Sequence, residues 1–152
     1  MNKSKANINA FDKAAYYITY RDRTKKEVYD KLKEKGYSSH DIDDAIFKLI
    51  EYGYVDDERY ALSYIRSNIN SKGINRIIIE LGQKGIKKDI IQECLKISEF
   101  NEYETIKDIF KRRYSDIDLN DERCVRKIFS YFSRRGFKFE CIHKVIAEYK
   151  KQ

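Results

Sequence analysis

The strongest constraint on this chain is an internal repeat. Gly36 in Lys-Gly-Tyr, Gly85 in Lys-Gly-Ile and Gly136 in Arg-Gly-Phe lie 49 and 51 residues apart. The slots around them agree. Eight positions before each glycine stand Val28, Ile77 and Ile128, and four before stand Leu32, Leu81 and Phe132. One after stand Tyr37, Ile86 and Phe137, and six after stand Ile42, Ile91 and Ile142. Self-similarity at a period of about 50 residues marks a stack of like units. The glycine suits a helix stop at positive φ, with the next apolar residue packing back on the last turn. A three-helix unit of this size buries only about 60% of its unfolded surface, so stacked neighbours must add to its stability.

Within each unit the apolar spacing is helical. Ile42, Ala45, Ile46 and Leu49 follow i, i+3, i+4, i+7, as do Ile74, Ile77, Ile78 and Leu81, and later Ile142, Val145, Ile146 and Tyr149. The β-branched run Ile77–Ile79 has no alternating partner segment, so it also reads as helix. The chain has no proline to kink a helix. Thr24 with Glu27 spells a capping box; Ser38, Asp56 and Asn120 read as N-caps, with Val55 as a hydrophobic staple. These signals predict an all-α fold of three tandem three-helix repeats, about nine helices, stacked into an elongated, curved array. The helices fall near 10–21, 24–35, 38–52, 56–69, 73–84, 87–98, 101–114, 121–135 and 138–150. The division is a disordered tail over 1–9, then repeats over 10–54, 55–99 and 100–152.

Composition narrows the function. The 152 residues carry 32 Lys+Arg against 25 Asp+Glu, a net charge of +7. That fits nucleic acid or an acidic protein surface as partner. No run approaches the roughly 18 apolar residues of a membrane span, and the first ten residues have no apolar signal core. Cys94, Cys124 and Cys141 are odd in number and lack metal-ligand spacing, so a reducing cytoplasm is the expected setting.

Catalytic chemistry is missing from the pattern. There is no phosphate-binding glycine loop. His40 and His143 read as structural or surface residues, and Cys141 and His143, two apart on a helix, do not face each other. Asp56-Asp57-Glu58 reads as an N-cap with an acidic first turn rather than a metal or acid cluster. The expectation is no enzyme, no metal and no cofactor.

The candidate contact residues are basic. Arg21, Arg23, Lys25 and Lys26 cluster at the first corner; Arg66, Lys72, Arg76, Lys84, Lys87 and Lys88 enrich the middle repeat; Arg126, Arg134 and Arg135 follow in the third. Tyr16, Tyr17 and Tyr20 cannot all face one core, and an exposed ring beside Arg21 and Arg23 is a candidate stacking platform for an unpaired base. The other use for such rings is to fill joints between helices.

At this point the chain resembles the RecX family, the bacterial modulators of the RecA recombinase. Tyr17-Ile18-Thr19-Tyr20-Arg21-Asp22-Arg23-Thr24 through Glu27-Val28 is similar to the family's opening motif, with Leu32 through Tyr37 in register. Gly53-Tyr54-Val55-Asp56-Asp57-Glu58-Arg59-Tyr60-Ala61 is similar to its G-Y-L-D-D-x-R-F-A motif. Gly73 to Ile86 resembles the middle repeat, and Arg135-Gly136-Phe137 the closing R-G-F. The stretch Ser115–Asp121 departs from the pattern as a polar insertion in the third repeat.

The resemblance implies a non-enzymatic regulator lying in the groove of the RecA filament on single-stranded DNA. Such a regulator usually lowers RecA's recombinase, ATPase and coprotease activities in DNA repair and the SOS response. The resemblance also implies direct contact with DNA, as for some family members, and a cytoplasmic, monomeric protein is expected. The alternative expectation is a basic helical module that binds DNA without RecA, or an adaptor between two proteins.

Overall fold

The computed structural model describes residues 8–152; of the tail expected to be disordered over 1–9, residues 1–7 lie outside the described residues, while Asn9 caps α1 by accepting from the Asp12 N–H (2.8 Å). Nine helices and no strand occur among the described residues. They are α1 (Ala10–Ile18), α2 (Lys25–Glu34), α3 (Ser39–Glu51), α4 (Asp57–Asn68), α5 (Ile74–Gln83), α6 (Lys88–Ile97), α7 (Glu102–Arg113), α8 (Glu122–Arg134) and α9 (Phe139–Lys150). Helix packing runs within triplets: α1, α2 and α3 close on one another, α4, α5 and α6 do the same, and α9 packs on both α7 and α8.

Each triplet encloses its own core. Unit 1 buries Val28, Leu32, Ile42, Ala45, Ile46 and Leu49. Unit 2 buries Ala61, Ile65, Ile77, Leu81, Ile91 and Cys94. Unit 3 buries Ile106, Phe110, Ile128, Phe132, Ile142 and Val145. The hydrogen bonds between units join neighbours in the chain, unit 1 to unit 2 and unit 2 to unit 3, which makes the array elongated.

The repeat glycines end the middle helix of every unit in the same way. Gly36, Gly85 and Gly136 have φ of +89°, +84° and +88°. After α2, the Tyr37 N–H donates to the Leu32 carbonyl (3.2 Å) and the Gly36 N–H to that of Lys33 (3.0 Å). Ile86 and Gly85 repeat the pair on Leu81 and Gly82, and Phe137 and Gly136 repeat it on Phe132 and Ser133. This is the Schellman arrangement, whose hydrophobic contact brings residue C″ onto residue C3. In unit 3 that contact is Phe137 edge-on to Phe132, ring centres 5.5 Å apart.

Several local expectations need correction. Asp121, not Asn120, caps α8: the Asn120 N–H is drawn to Asp118 (2.9 Å), which leaves Asp121 extended and accepting from Arg123 (2.9 Å). Val55 does not staple α4; it is buried in the core of unit 1. Helix α1 stops at Ile18, because the Thr19 hydroxyl and N–H both turn back to the Tyr16 carbonyl. The insertion between α7 and α8 is only partly polar in use, since Ile117 and Leu119 pack on the third core. Gly53, a fourth positive-φ glycine outside the repeat, closes α3.

Thr24 shows how capping and stacking share one residue. It is fully buried. Its oxygen accepts from the Glu27 N–H while Glu27 accepts from the Thr24 N–H, and its hydroxyl donates to the Lys84 carbonyl of unit 2 (2.7 Å). Thr24→Val keeps the shape and removes all of the hydroxyl's bonds. A loss of about 2 kcal/mol is expected in urea denaturation, combining a lost cap with a half-buried carbonyl left without its donor. A loss below about 0.5 kcal/mol would show that the hydroxyl contributes little.

Candidate partner and nucleic-acid interface

The sites where units meet organise most of the charged residues. At the first joint, the N-terminus of α2 abuts the C-terminus of α5. Thr24 holds the Lys84 carbonyl, and Asp57, first residue of α4, accepts from the Lys25 N–H (2.9 Å). At the second joint, the N-terminus of α5 abuts the C-terminus of α8. The Gly73 N–H donates to the Arg135 carbonyl (2.8 Å) and the Asn75 N–H to that of Gly136 (3.1 Å). Glu102, first residue of α7, accepts from the Ile74 N–H (2.5 Å). The parts correspond: twelve residues before each repeat glycine, Thr24 and Gly73 both bond to the carbonyl just before the next unit's glycine. The middle helices therefore stand head to tail, each positive N-terminal end against a negative C-terminal end.

Glu102 is the buried charged side chain of the molecule's described part, 4% exposed. Its second oxygen accepts from the N–H of Lys138, which caps α9 (3.1 Å). One carboxylate thus satisfies the starts of two helices, neither of which has a side-chain cap of its own. Residues 56–58 are accordingly an N-cap and first turn: Asp56 accepts from the Arg59 N–H (3.0 Å), while Asp57 has the cross-unit bond. Both joint carboxylates follow an N-cap (Asp56-Asp57 and Asn101-Glu102), a signal visible in the sequence but attributable there to the helix dipole alone.

Many of the basic candidates are tied into this framework. Arg76 bonds both Glu80 (3.0 Å) and the Arg134 carbonyl across the joint (3.1 Å). Arg135 reaches the Ser71 carbonyl (3.3 Å) and lies over the Tyr131 ring, while the Arg134 guanidinium folds onto Ser130. Lys72 pairs with Glu80 (2.8 Å); burial first, and then the Arg76 charge, push its ammonium below its ordinary pKa. Arg23 lies 4.0 Å above the Tyr17 ring with its side chain 13% exposed, and Arg21 pairs with Glu27 (3.1 Å). Lys26 pairs with Asp30 and Arg126 with Glu122. Lys84 stands over the Tyr60 ring.

Of the basic candidates, the exposed Lys25, Arg66, Lys87 and Lys88 have neither an ion-pair partner nor a side-chain hydrogen bond among the described residues. The joints bring Lys25, Lys26 and Lys84 together at one corner, and Lys72, Arg76, Arg134 and Arg135 at the other. Arg21 reaches the first corner through Glu27, the capping-box partner of Thr24, whereas Arg126 pairs with Glu122 at the start of α8.

The tyrosines divide as their spacing requires. Tyr17 packs on the first core, while Tyr16 and Tyr20 are 61% and 70% exposed with their hydroxyls hydrogen-bonded to each other (2.7 Å). That bond and the neighbouring Tyr16 hold the Tyr20 phenol above its ordinary pKa. Histidines 40 and 143 are both exposed, the first 3.3 Å from Asp44. Burial raises the Cys94 and Cys141 thiols, the direction that keeps them unreactive. No helix among the described residues is long and apolar enough to cross a membrane, and none of them group into a metal-binding set.

Comparison with known proteins agrees with this architecture. The family model for the first three-helix domain of RecX matches residues 10–57, and that for the second matches residues 56–95. The regulatory protein RecX of Finegoldia magna is 33% identical over 92% of this chain and 71% of its own length. That of Bacillus velezensis is also 33% identical, but the chain spans only 54% of its length. The crystal structure of RecX from Lactobacillus salivarius superposes with a TM-score of 0.80 at 28% identity, covering 94% of this chain and 96% of that one. With two three-helix domains matched in order and the repeat continued through a third, the chain belongs to the RecX family of regulatory proteins.

Proposed function

We propose that this chain is a non-enzymatic regulator that lies in the groove of the RecA filament on single-stranded DNA and lowers RecA's recombinase, ATPase and coprotease activities. Its setting would be the bacterial cytoplasm, during DNA repair and the SOS response. The observation that carries the reading is the head-to-tail joining of three units by hydrogen bonds at both joints. A stiff array of this kind spans several protomers of a polymer, and linked modest contacts raise apparent affinity without any single strong site. The cations gathered at the joints, together with the unpaired Lys25, Arg66, Lys87 and Lys88, suit an acidic protein surface or the DNA path within the groove.

Co-sedimentation with RecA filaments, assembled on single-stranded DNA with a non-hydrolysable ATP analogue, tests the proposal. Retention on the coated strand well above that on bare DNA is expected, together with a lowered RecA ATPase. Equal binding to bare DNA, with a steep salt slope and no added affinity for RecA, would favour a plain DNA-binding module. Reversing Lys25, Arg66, Lys87 and Lys88 together to glutamate should weaken filament binding roughly tenfold or more, since each exposed contact is modest and four are inverted. Circular dichroism should not change. Undiminished inhibition by that variant would remove these charges from the contact.

A further inference from the structure

The two joints share one design, and unit 1 carries its receiving half. In units 2 and 3 that half is the C-terminal turn of the middle helix, the glycine after it, and the start of the unit's first helix. It takes in the N-terminus of the preceding unit's middle helix so closely that a Cβ on Gly85 would lie 2.4 Å from Lys26, and one on Gly136 would lie 2.4 Å from Arg76. Unit 1 presents the same parts. Lys35 and Gly36 at the end of α2, with Asn9 and Ala10 at the start of α1, line a groove of about 1340 Å³. Nothing among the described residues comes within 4 Å of a Cβ placed on Gly36. At the other end of the array, the hydrogen bonds and ion pairs of the α8 N-terminus among the described residues are all local, among them those joining Asp121 to Arg123 and Glu122 to Arg126.

We propose that this groove receives the α8 N-terminus of a second copy of the chain. Copies would then join end to end by repeating the contact that joins their own units. The charges support that occupant because they are the internal pattern with sides exchanged. Within the chain, the receiving unit supplies the acid (Asp57 or Glu102) and the entering helix is basic in its first turn (Lys25 and Lys26, or Arg76). In unit 1 the corresponding acid position is Ala10, and the groove carries Lys13, Lys35 and Lys48. The α8 end brings its own acids, Asp118, Asp121 and Glu122.

The remaining titratable groups leave this pairing in place. Asp41 and Asp44 also line the groove, with Asp44 3.3 Å from His40. On the entering side Arg123 is held by Asp121 and Arg126 by Glu122. The helix ends add to the match, a negative C-terminus of α2 facing a positive N-terminus of α8. Such a head-to-tail contact does not close on itself, so it would extend copies into a row, most readily where they are crowded along one template. The contact departs from the monomer expected of the sequence, and it stands or falls independently of any RecA contact.

Carbodiimide cross-linking of an equal mixture of ¹⁴N- and ¹⁵N-labelled full-length chain, without RecA or DNA, tests it. Mixed-isotope cross-links joining Lys13, Lys35 or Lys48 to Asp118, Asp121 or Glu122 are expected, with a weight-average mass in sedimentation that rises with concentration. Glu122→Lys should weaken association by about fivefold, the range of a single exposed pair, and Lys35→Glu in the same chain should restore it. Either of two results overturns the proposal. One is a constant monomer mass with no mixed-isotope cross-link at these residues. The other is single-isotope cross-links from Lys3 or Lys5 to Asp41 or Asp44, which would place the chain's own first residues in the groove.

Discussion

Glu102→Ala should lower the stability of this protein by about 3 kcal/mol, a large effect for one surface-to-core carboxylate. The side chain is 4% exposed and accepts from the N–H groups of Ile74 and Lys138, the starts of α5 and α9. Hydrogen bonds to a charged group contribute roughly 1.5–3 kcal/mol each, and truncation leaves both N–H groups without their acceptor. Neither helix has a side-chain cap in reserve. Glu102→Gln separates geometry from charge. The amide oxygen can serve one helix start, but the amide NH₂ then points at the other donor, so about 2 kcal/mol should still be lost.

Cooperativity should change as well, because Glu102 belongs to unit 3 and Ile74 to unit 2. Weakening a nearest-neighbour interface in a repeat array lets its units melt separately. The alanine variant should therefore show a broadened or two-step urea transition where the parent shows one. A loss under about 1 kcal/mol with an unchanged transition would mean that water replaces the carboxylate at both helix starts.

The helices were legible because each is specified by signals close in sequence. The stripe Ile42, Ala45, Ile46 and Leu49 is the buried face of α3, and the three repeat glycines stop α2, α5 and α8 as their spacing implies. Turn chemistry a residue or two long was less legible. Asn120 and Asp121 are both good caps, and only the bond from Asn120 to Asp118 decides between them.

The joints were not legible, since they depend on residues far apart in the chain. Lys72, Arg76 and Arg135 look like free cations in a one-dimensional charge map, yet a carboxylate or a carbonyl of another element engages each of them. Val55 looks like a staple for the helix it precedes, yet its side chain lies in the unit behind. Glu102 was visible only as the acid after an N-cap, and its burial follows from where α5 and α9 begin. The two joints also differ in strength. Two hydrogen bonds link the start of α2 to unit 2, Thr24 to Lys84 and Lys25 to Asp57. The second joint has backbone pairs from Gly73 and Asn75, the Glu102 bond, and both Arg76 and Arg135 reaching across. Units 2 and 3 should accordingly behave as the stiffer pair.

Four glycine-to-alanine variants should rank in an order set by the joints, with Gly73→Ala the most damaging. Gly73 has an ordinary extended conformation (φ −79°), so the backbone resists alanine only by the small cost of a poorer N-cap. Its neighbourhood resists far more: an added Cβ would stand 2.2 Å from the Gly136 carbonyl carbon and the Phe137 nitrogen. Backbone meets backbone there, and no side chain can swing away. The joint must open, breaking the bonds from Gly73 to Arg135 and from Asn75 to Gly136, at a cost of about 3 kcal/mol or more.

Gly85→Ala combines positive-φ strain with contact against the Lys26 side chain and should cost about 2–3 kcal/mol, while Gly136→Ala, whose Cβ would stand 2.5 Å from the Arg76 backbone nitrogen, should approach the loss at Gly73. Gly36→Ala has the same strain and open space, so about 1 kcal/mol is expected. Denaturation midpoints give the ranking, and small-angle scattering reports the shape. Gly73→Ala should change the radius of gyration while Gly36→Ala leaves it alone. Equal losses at Gly36 and Gly85 would mean that the glycines matter for helix termination only, and that the close fit between units contributes nothing to stability.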